Sequence, residues 1–460
     1  LGYVKSGGKR VMVSFLPGGY DACYENPTFK LGTNYPDDTQ CSNKDVAQGN
    51  SIYMVQVGEV ETKANNEEKV DTSKNNGNLL WWASNSGNSV TAASNATSAT
   101  LQYSKADDLK HSVVTQVRTL DRNYDGLIDH IYFADLGGQV WRADINNNAD
   151  TKNFKVDRVV KILDISDQVG TGDAPPRIYE RPLITFYNGK YGYKNEANVS
   201  GSASGVQAMV TVGTGDRSNP VTATRSVPDA LYNVIDKDVT RSDLFSYGTD
   251  TAPTISLRTP INKVAGTTGR NDKLQKLTFS NADIGTKGIK ENMQSNAVQG
   301  WYMPFDTWLN ETTQTTGPYK IKMFNEPDAL AGVLVSSSYN PDKGQVIQAC
   351  SAGVKGETQR ERTCLPYGTC LDGTGNDVLT SRSTFNAGSG IVDNIVTQFN
   401  DTSIFSGLVN RCEGDSCTPT LICPNGNCDP VPPTCTGPTC SPLDGFNTDK
   451  RINPLSWIEH

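Results

Sequence analysis

Short runs of β-branched, aromatic and aliphatic residues recur along the chain, each bounded by Gly, Asn, Asp, Ser or Thr. Runs of this length between turn residues predict strands. The clearest lie at 10–15, 51–55, 79–82, 112–117, 130–134 and 139–143, then at 182–186, 208–212, 230–234 and 332–336. Helical periodicity is scarce. One short helix is expected around 289–296, within a mixed segment, 238–299, that the pattern does not place.

Many short strands at close but irregular spacing predict an all-β sandwich, barrel or propeller. With 460 residues available, a propeller fits best, because it grows by adding four-stranded blades. Two stretches share a rough order of strand, turn, Gly and Trp-bearing strand, as blades do. One runs from Ile52-Tyr53-Met54-Val55 to Gly77 and Trp81, the other from Ile131-Tyr132-Phe133-Ala134 to Gly138 and Trp141. Both Trp side chains are expected to plug the gap between blades. The polar tracts 61–78 and 84–99 hold too little apolar content to pack and are expected to be loops.

Composition narrows the function classes. The chain is 36% hydrophobic and 20% charged, with a formal net charge of -8. That balance repels nucleic acid and anionic lipid. No stretch approaches the roughly 18 apolar residues of a membrane helix, so no membrane insertion is expected here. The start, Leu1-Gly2-Tyr3-Val4-Lys5, has no apolar stretch behind a basic end, so an exported protein would carry its leader outside this sequence.

Six of the 11 cysteines form three similar units, Cys412/Cys417, Cys423/Cys428 and Cys435/Cys440, threaded with Pro and Gly. Zinc sites favour C-x2-C knuckles completed by His. The gap here is four residues and the nearest His in sequence is His460, so small disulfide-closed turns are the better reading. Cys23 with Cys41 and Cys364 with Cys370 would close two further loops. Cys350 is left over, either to pair outside the chain or to displace one of the middle set. This usage points to an oxidising compartment. The expected organisation is blades over 1–411, a disulfide-rich excursion over 412–440 and a closing segment over 441–460.

The strongest chemical signal is Asp121-Arg122-Asn123-Tyr124-Asp125-Gly126-Leu127-Ile128-Asp129. Side-chain oxygens stand at loop positions one, three, five and nine, with Gly at six. Calcium takes about six to eight oxygens, and a tight loop can aim alternate side chains at one ion. The expected ligands are Asp121, Asn123, Asp125, the Leu127 carbonyl and Asp129. Position twelve is Tyr132, not the bidentate Glu of a helical EF-hand, and the flanks 113–117 and 131–133 read as strands. A strand-loop-strand Ca2+ site follows, with water or another segment supplying a missing oxygen. The bland alternative is an Asp/Asn/Gly-rich turn without metal.

Other motifs carry less. Val212-Gly213-Thr214-Gly215-Asp216-Arg217 lacks the further Gly and the βαβ setting of a nucleotide loop, and reads as a strand-end turn. The three His residues, His111, His130 and His460, sit in no nucleophile motif. The chain is therefore read as a binding module and not an enzyme.

The run from Asp121 to Asp129, continued by His130-Ile131-Tyr132-Phe133-Ala134-Asp135-Leu136-Gly137-Gly138-Gln139-Val140-Trp141-Arg142, resembles the C-terminal domain of PilY-type pilus proteins. So do Pro17-Gly18-Gly19-Tyr20-Asp21, Val212 to Arg217, Gly300-Trp301-Tyr302 and Leu455-Ser456-Trp457, in the family's order. The resemblance implies a modified β-propeller on a tip-associated component of type IV pili, at the cell surface or beyond, reached through the periplasm. It implies minor pilins or other pilus components as partners, a surface or host ligand, and roles in pilus assembly, calcium-dependent opposition to retraction, and adhesion. The family's calcium ligands fall on Asp121, Asn123, Asp125, Leu127 and Asp129. Against the pattern of the family, the chain is expected to start inside the propeller, without its first blades, and the excursion at 412–440 is foreign to the pattern. The competing readings are a lectin-like or protein-binding propeller unrelated to pili and a quinone-dependent propeller dehydrogenase. The latter lacks its vicinal Cys pair here.

Overall fold

Four successive sheets each begin as a four-stranded antiparallel up-and-down unit. The computed structural model describes residues 1–63, 68–74, 76–86, 101–149, 151–166, 173–194, 200–222, 225–236, 238–240, 244–245, 263–264, 273–308, 313–330, 332–343, 355–371, 377–378, 383–392, 397–398, 403–408, 410–413, 416–419 and 443–447. The first unit is Gly2–Ser6, Lys9–Pro17, Ser51–Thr62 and Leu79–Ser84, with Gln102–Lys105 added in parallel. The second is Arg118–Leu120, His130–Ala134, Gln139–Asn146 and Lys155–Asp164. The third is Leu183–Lys194, Ser200–Gly213, Ala230–Asp236 and Gly300–Pro304, extended by parallel Lys273–Lys276. The fourth is Asp328–Leu330, Val333–Asn340, Glu357–Cys364 and Ser383–Ser389.

Packing between these sheets follows chain order. Successive side chains of a strand point to opposite faces, and the inner sheets are apolar on both. Ile131 and Phe133 join the core shared with the first sheet, beside Val13, Met54 and Trp81. Tyr132 and Ala134, between and after them, join the core shared with the third, beside Val210 and Val234. The third sheet repeats the device, with Met209, Leu231 and Trp301 turned toward Leu334 of the fourth. Sheets stacked face to face in sequence order are blades, and the all-β modified propeller read from the sequence is the architecture found.

The Trp expectation holds as well. Trp81 and Trp141 are both buried in the core between the first two blades. Their indole N–H groups donate to Ser104 Oγ and Asp135 Oδ2, each at 2.9 Å, so neither burial leaves a donor unmatched. The short helix is found at Ile289–Gln294. Disulfides join Cys23 to Cys41 and Cys364 to Cys370. The first closes a loop with its own small core of Tyr24, Phe29 and Leu136. Backbone register sets Cys412 opposite Cys417 across a hairpin, while Cys350, Cys423, Cys428, Cys435 and Cys440 lie outside the described residues.

Two local expectations fail for physical reasons. The segment 112–117 forms no ladder. Its polar groups are spent crossing between sheets, Ser112 Oγ donating to Gln48 O at 2.6 Å and Thr115 Oγ1 to Ala134 O at 3.1 Å. The tract 61–78 is not all loop. Ser51–Thr62 runs on into it and pairs with Glu68–Asp71, a ribbon dressed with ion pairs such as Lys9–Glu59 at 2.8 Å and Arg10–Glu68 at 2.9 Å. Strand pairing with an existing edge there replaces the apolar burial that the tract lacks. Of the tract 84–99, residues 87–99 lie outside the described residues. Among the described residues no helix is long and apolar enough to cross a membrane.

Candidate metal centre

The nine-residue loop joins the first two strands of the second blade. Arg118–Leu120 and His130–Ala134 pair antiparallel, with Leu120 opposite His130, so the loop is the turn of a hairpin. Its flanks are strands, although the upstream one begins at Arg118 and not at 113. Asp129 N–H donates to Leu120 O at 2.9 Å and closes the loop at its base.

Inside, the acidic and amide side chains organise the backbone. Asp121 Oδ1 accepts from Tyr124 N at 2.7 Å and its Oδ2 from Gly126 N at 2.8 Å. Asn123 Oδ1 accepts from Asp125 N at 3.1 Å, and Asp125 Oδ1 from Leu127 N at 2.8 Å. Asp129 Oδ2 accepts from Arg122 N at 2.9 Å. These bonds curl the chain within the loop, with the side chains of Asp121, Asn123, Asp125 and Asp129 each capping a backbone N–H of the turn. Asp121 Oδ1 also accepts from Asn123 N at 3.3 Å, and Asp125 Oδ2 from Asn123 Nδ2 at 3.3 Å. The curl needs left-handed backbone at Tyr124, φ 60°, and Gly126, φ 81°. At Gly126 a Cβ would also sit 3.0 Å from the Arg10 guanidinium, so glycine serves both the turn and the close approach.

The downstream half of the loop is anchored on three sides. Ile128 N–H donates to Tyr3 O of the first blade at 2.8 Å, and Ile145 N–H to Asp129 O at 2.7 Å. Asn147, which sequence reasoning missed, donates from Nδ2 to Ile128 O at 2.9 Å and approaches Asp129 Oδ1 at 3.5 Å. Its only sequence signal is the polar turn Asn146-Asn147-Asn148 after a strand. Asp129 is 5% exposed. Burial pushes its carboxyl up to about 7, reinforced by the charges of Asp125 and Asp121 and opposed by the Arg122 N–H and Asn147.

Behind the loop lies a buried ionic lattice. His130, next in sequence to Asp129, places Nδ1 2.8 Å from Asp144 Oδ1. Burial holds His130 below the usual histidine range, so the neutral ring donates from Nδ1 to the carboxylate. Arg142 Nε donates to the same Asp144 oxygen at 2.6 Å, and Arg158 Nη1 to the other at 3.1 Å. Phe245 stacks on His130 at 5.3 Å and lies under the Arg122 guanidinium at 5.4 Å. The loop thus rests on a floor that spans the second and third blades.

The donor set fits a hard divalent cation. It offers three carboxylates, one amide oxygen and one main-chain carbonyl, all oxygen, in a turn where a buried carboxylate is crowded by two of like charge. Among the described residues no group of three or more His, Cys, Asp or Glu is gathered closely enough to hold an ion as it stands. Val212 to Arg217 ends a strand in a turn, with Asp216 bound by Arg177 Nη1 at 2.8 Å, and His460 lies outside the described residues.

No protein-family model matches the chain, and no curated protein matches it. Among solved structures, the C-terminal domain of PilY1 from Pseudomonas aeruginosa is similar, with a TM-score of 0.41 and 12% sequence identity. The similarity covers 81% of this chain and 66% of that one, so this chain spans just under two thirds of that domain's length.

Proposed function

We propose that this chain is a calcium-binding β-propeller module of a type IV pilus tip-associated protein, acting as an extracellular binding and adhesion element without catalysis of its own. The observation that carries the metal assignment is the loop between the first two strands of the second blade. Its oxygens alternate around one turn while Asp129 is held buried among like charges. Asp121, Asn123, Asp125, the Leu127 carbonyl and Asp129 would hold the ion. Bound Ca2+ supplies charge neutralisation to a loop that otherwise repels itself.

The chain's own residues do the rest. Asn147 and Ile128 tie the loop to the first and second blades, and His130 ties it to Asp144. A cation-tightened loop therefore stiffens the seam between blades, which suits a module that bears load at a pilus tip and responds to extracellular calcium during retraction. The pilus setting rests on the ordered sequence resemblance. It carries with it minor pilins or other pilus components as partners and a surface ligand for adhesion.

Calorimetry with calcium on the wild type and on Asp125→Ala tests the site. Binding by the wild type and a loss of at least tenfold in the variant are expected. Equal binding by both would remove the assignment. Pull-down against purified minor pilins, with glycan binding run alongside, tests the setting separately, and glycan capture without pilin capture would point to a lectin-like propeller instead.

A further inference from the structure

Arg10 of the first blade reaches across the seam onto the nine-residue loop. It stands on Lys9–Pro17, the second strand of that blade, with its guanidinium over the Tyr3 ring at 4.8 Å. A Cβ placed on Gly126 would lie 3.0 Å from Arg10 Nη2 and 3.6 Å from Cζ. The loop backbone is tied to the same place, Ile128 N–H donating to Tyr3 O at 2.8 Å. Cation and acidic turn are thus fixed against one another.

The guanidinium is held from its other end by the ribbon of the first blade. Arg10 Nη1 donates to Glu68 Oε2 at 2.9 Å and to Oε1 at 3.2 Å. Glu68 opens the strand that pairs with the end of Ser51–Thr62. Both bonds come from one nitrogen, and Nε is buried with no acceptor among the described residues. Glu68 therefore uses only part of the fork.

Charge decides what such a contact does. Asp121, Asp125 and Asp129 repel one another in a loop without a cation. A positive charge fixed at Gly126 relieves that repulsion in the metal-free loop and opposes a divalent ion in the loaded one. Both effects lower the affinity for the ion. Glu68, paired with the same guanidinium, moderates them.

We infer that Arg10, held by Glu68, is a resident counter-cation of the calcium loop and sets the calcium concentration at which the loop fills. The inference rests on the calcium reading above and adds to it the residue pair that governs affinity. Arg10 is a positioning residue and supplies no ligand. The pair belongs to the first blade and the ligands to the second, so affinity depends on how those two blades sit together.

Calorimetry with calcium on wild type, Arg10→Gln and Glu68→Gln tests this by sign. Both side chains are partly exposed, at 35% and 51%, so neither substitution threatens the fold. Arg10→Gln should bind calcium about two- to fivefold more tightly than wild type, and Glu68→Gln about two- to fivefold more weakly. Loss of a merely structural contact would weaken binding in both variants. The differences should shrink in about 1 M potassium chloride, where the screening length is about 3 Å. In chelator, amide exchange at Gly126 and Leu127, whose N–H groups are held by Asp121 and Asp125, should be faster in Arg10→Gln than in wild type. Equal affinities in all three proteins, or weaker binding by Arg10→Gln, would overturn the role of Arg10 and leave the calcium site standing. A wild type that binds no calcium would overturn the site itself, and this inference with it.

Discussion

Arg142 Nη1 lies 2.5 Å from Asp236 Oδ1 and 2.6 Å from Asp236 Oδ2, joining the second blade to the third through residues that are 0% and 3% exposed. Tyr132 adds its hydroxyl to Asp236 Oδ2 at 3.0 Å, and Asp144 occupies the other side of the guanidinium. The guanidinium therefore sits between two carboxylates, which raise its affinity for the proton against the opposing effect of burial, and Asp144 is held well below the usual carboxylate range.

Removing one member of this lattice should be severe. Arg142→Met strands Asp236 in the interior, and breaking one partner of a buried pair costs about 3–5 kcal/mol. Arg142→Met combined with Asp236→Leu should recover part of that loss, because no stranded charge remains. Urea denaturation of the two single variants and the double provides the cycle. A single variant within about 1 kcal/mol of wild type would show that the lattice contributes little.

Calcium removal should loosen the molecule locally. The loop is held at its base by Asp129 to Leu120 and on its flank by Asn147, and the apolar cores on either side of the second blade do not include the residues proposed to hold the ion. With chelator, amide exchange should speed up at Arg118–Leu120 and His130–Ala134 while the third blade keeps its protection. A collapse of protection across all blades at once would contradict this.

Acid should weaken the fold through His111. Its ring packs under Gly137, and Nδ1 lies 2.8 Å from the Tyr24 hydroxyl. Burial lowers its pKa to about 4, with Lys110 and Lys161 acting in the same direction and Asp164 against them. The unfolded chain takes up that proton near 6.5, whereas the folded one resists until about 4. This contribution is therefore intact above pH 6.5 and is lost as pH falls toward 4. Denaturation midpoints measured across that range should fall less steeply in His111→Gln than in wild type. Parallel slopes would place the acid sensitivity elsewhere.

Local pattern alone determined much of this protein. The apolar runs at 10–15, 51–55, 130–134 and 208–212 became strands because β-branched and aromatic residues between turn formers have few other ways to be buried. Trp81 and Trp141 were legible as inter-blade plugs, and the spacing of Asp121, Asn123, Asp125 and Asp129 was legible as one turn, since both depend on neighbours along the chain. The segment 112–117 looked like a strand by the same rule. It forms no ladder because its hydrogen bonds go to Gln48 and Ala134, partners that composition does not announce. Arg142 meets Asp236 across 94 positions, and Arg177 meets Tyr24 across 153. Which buried charge meets which partner is decided only when the blades stack, because a charge finds its partner through space.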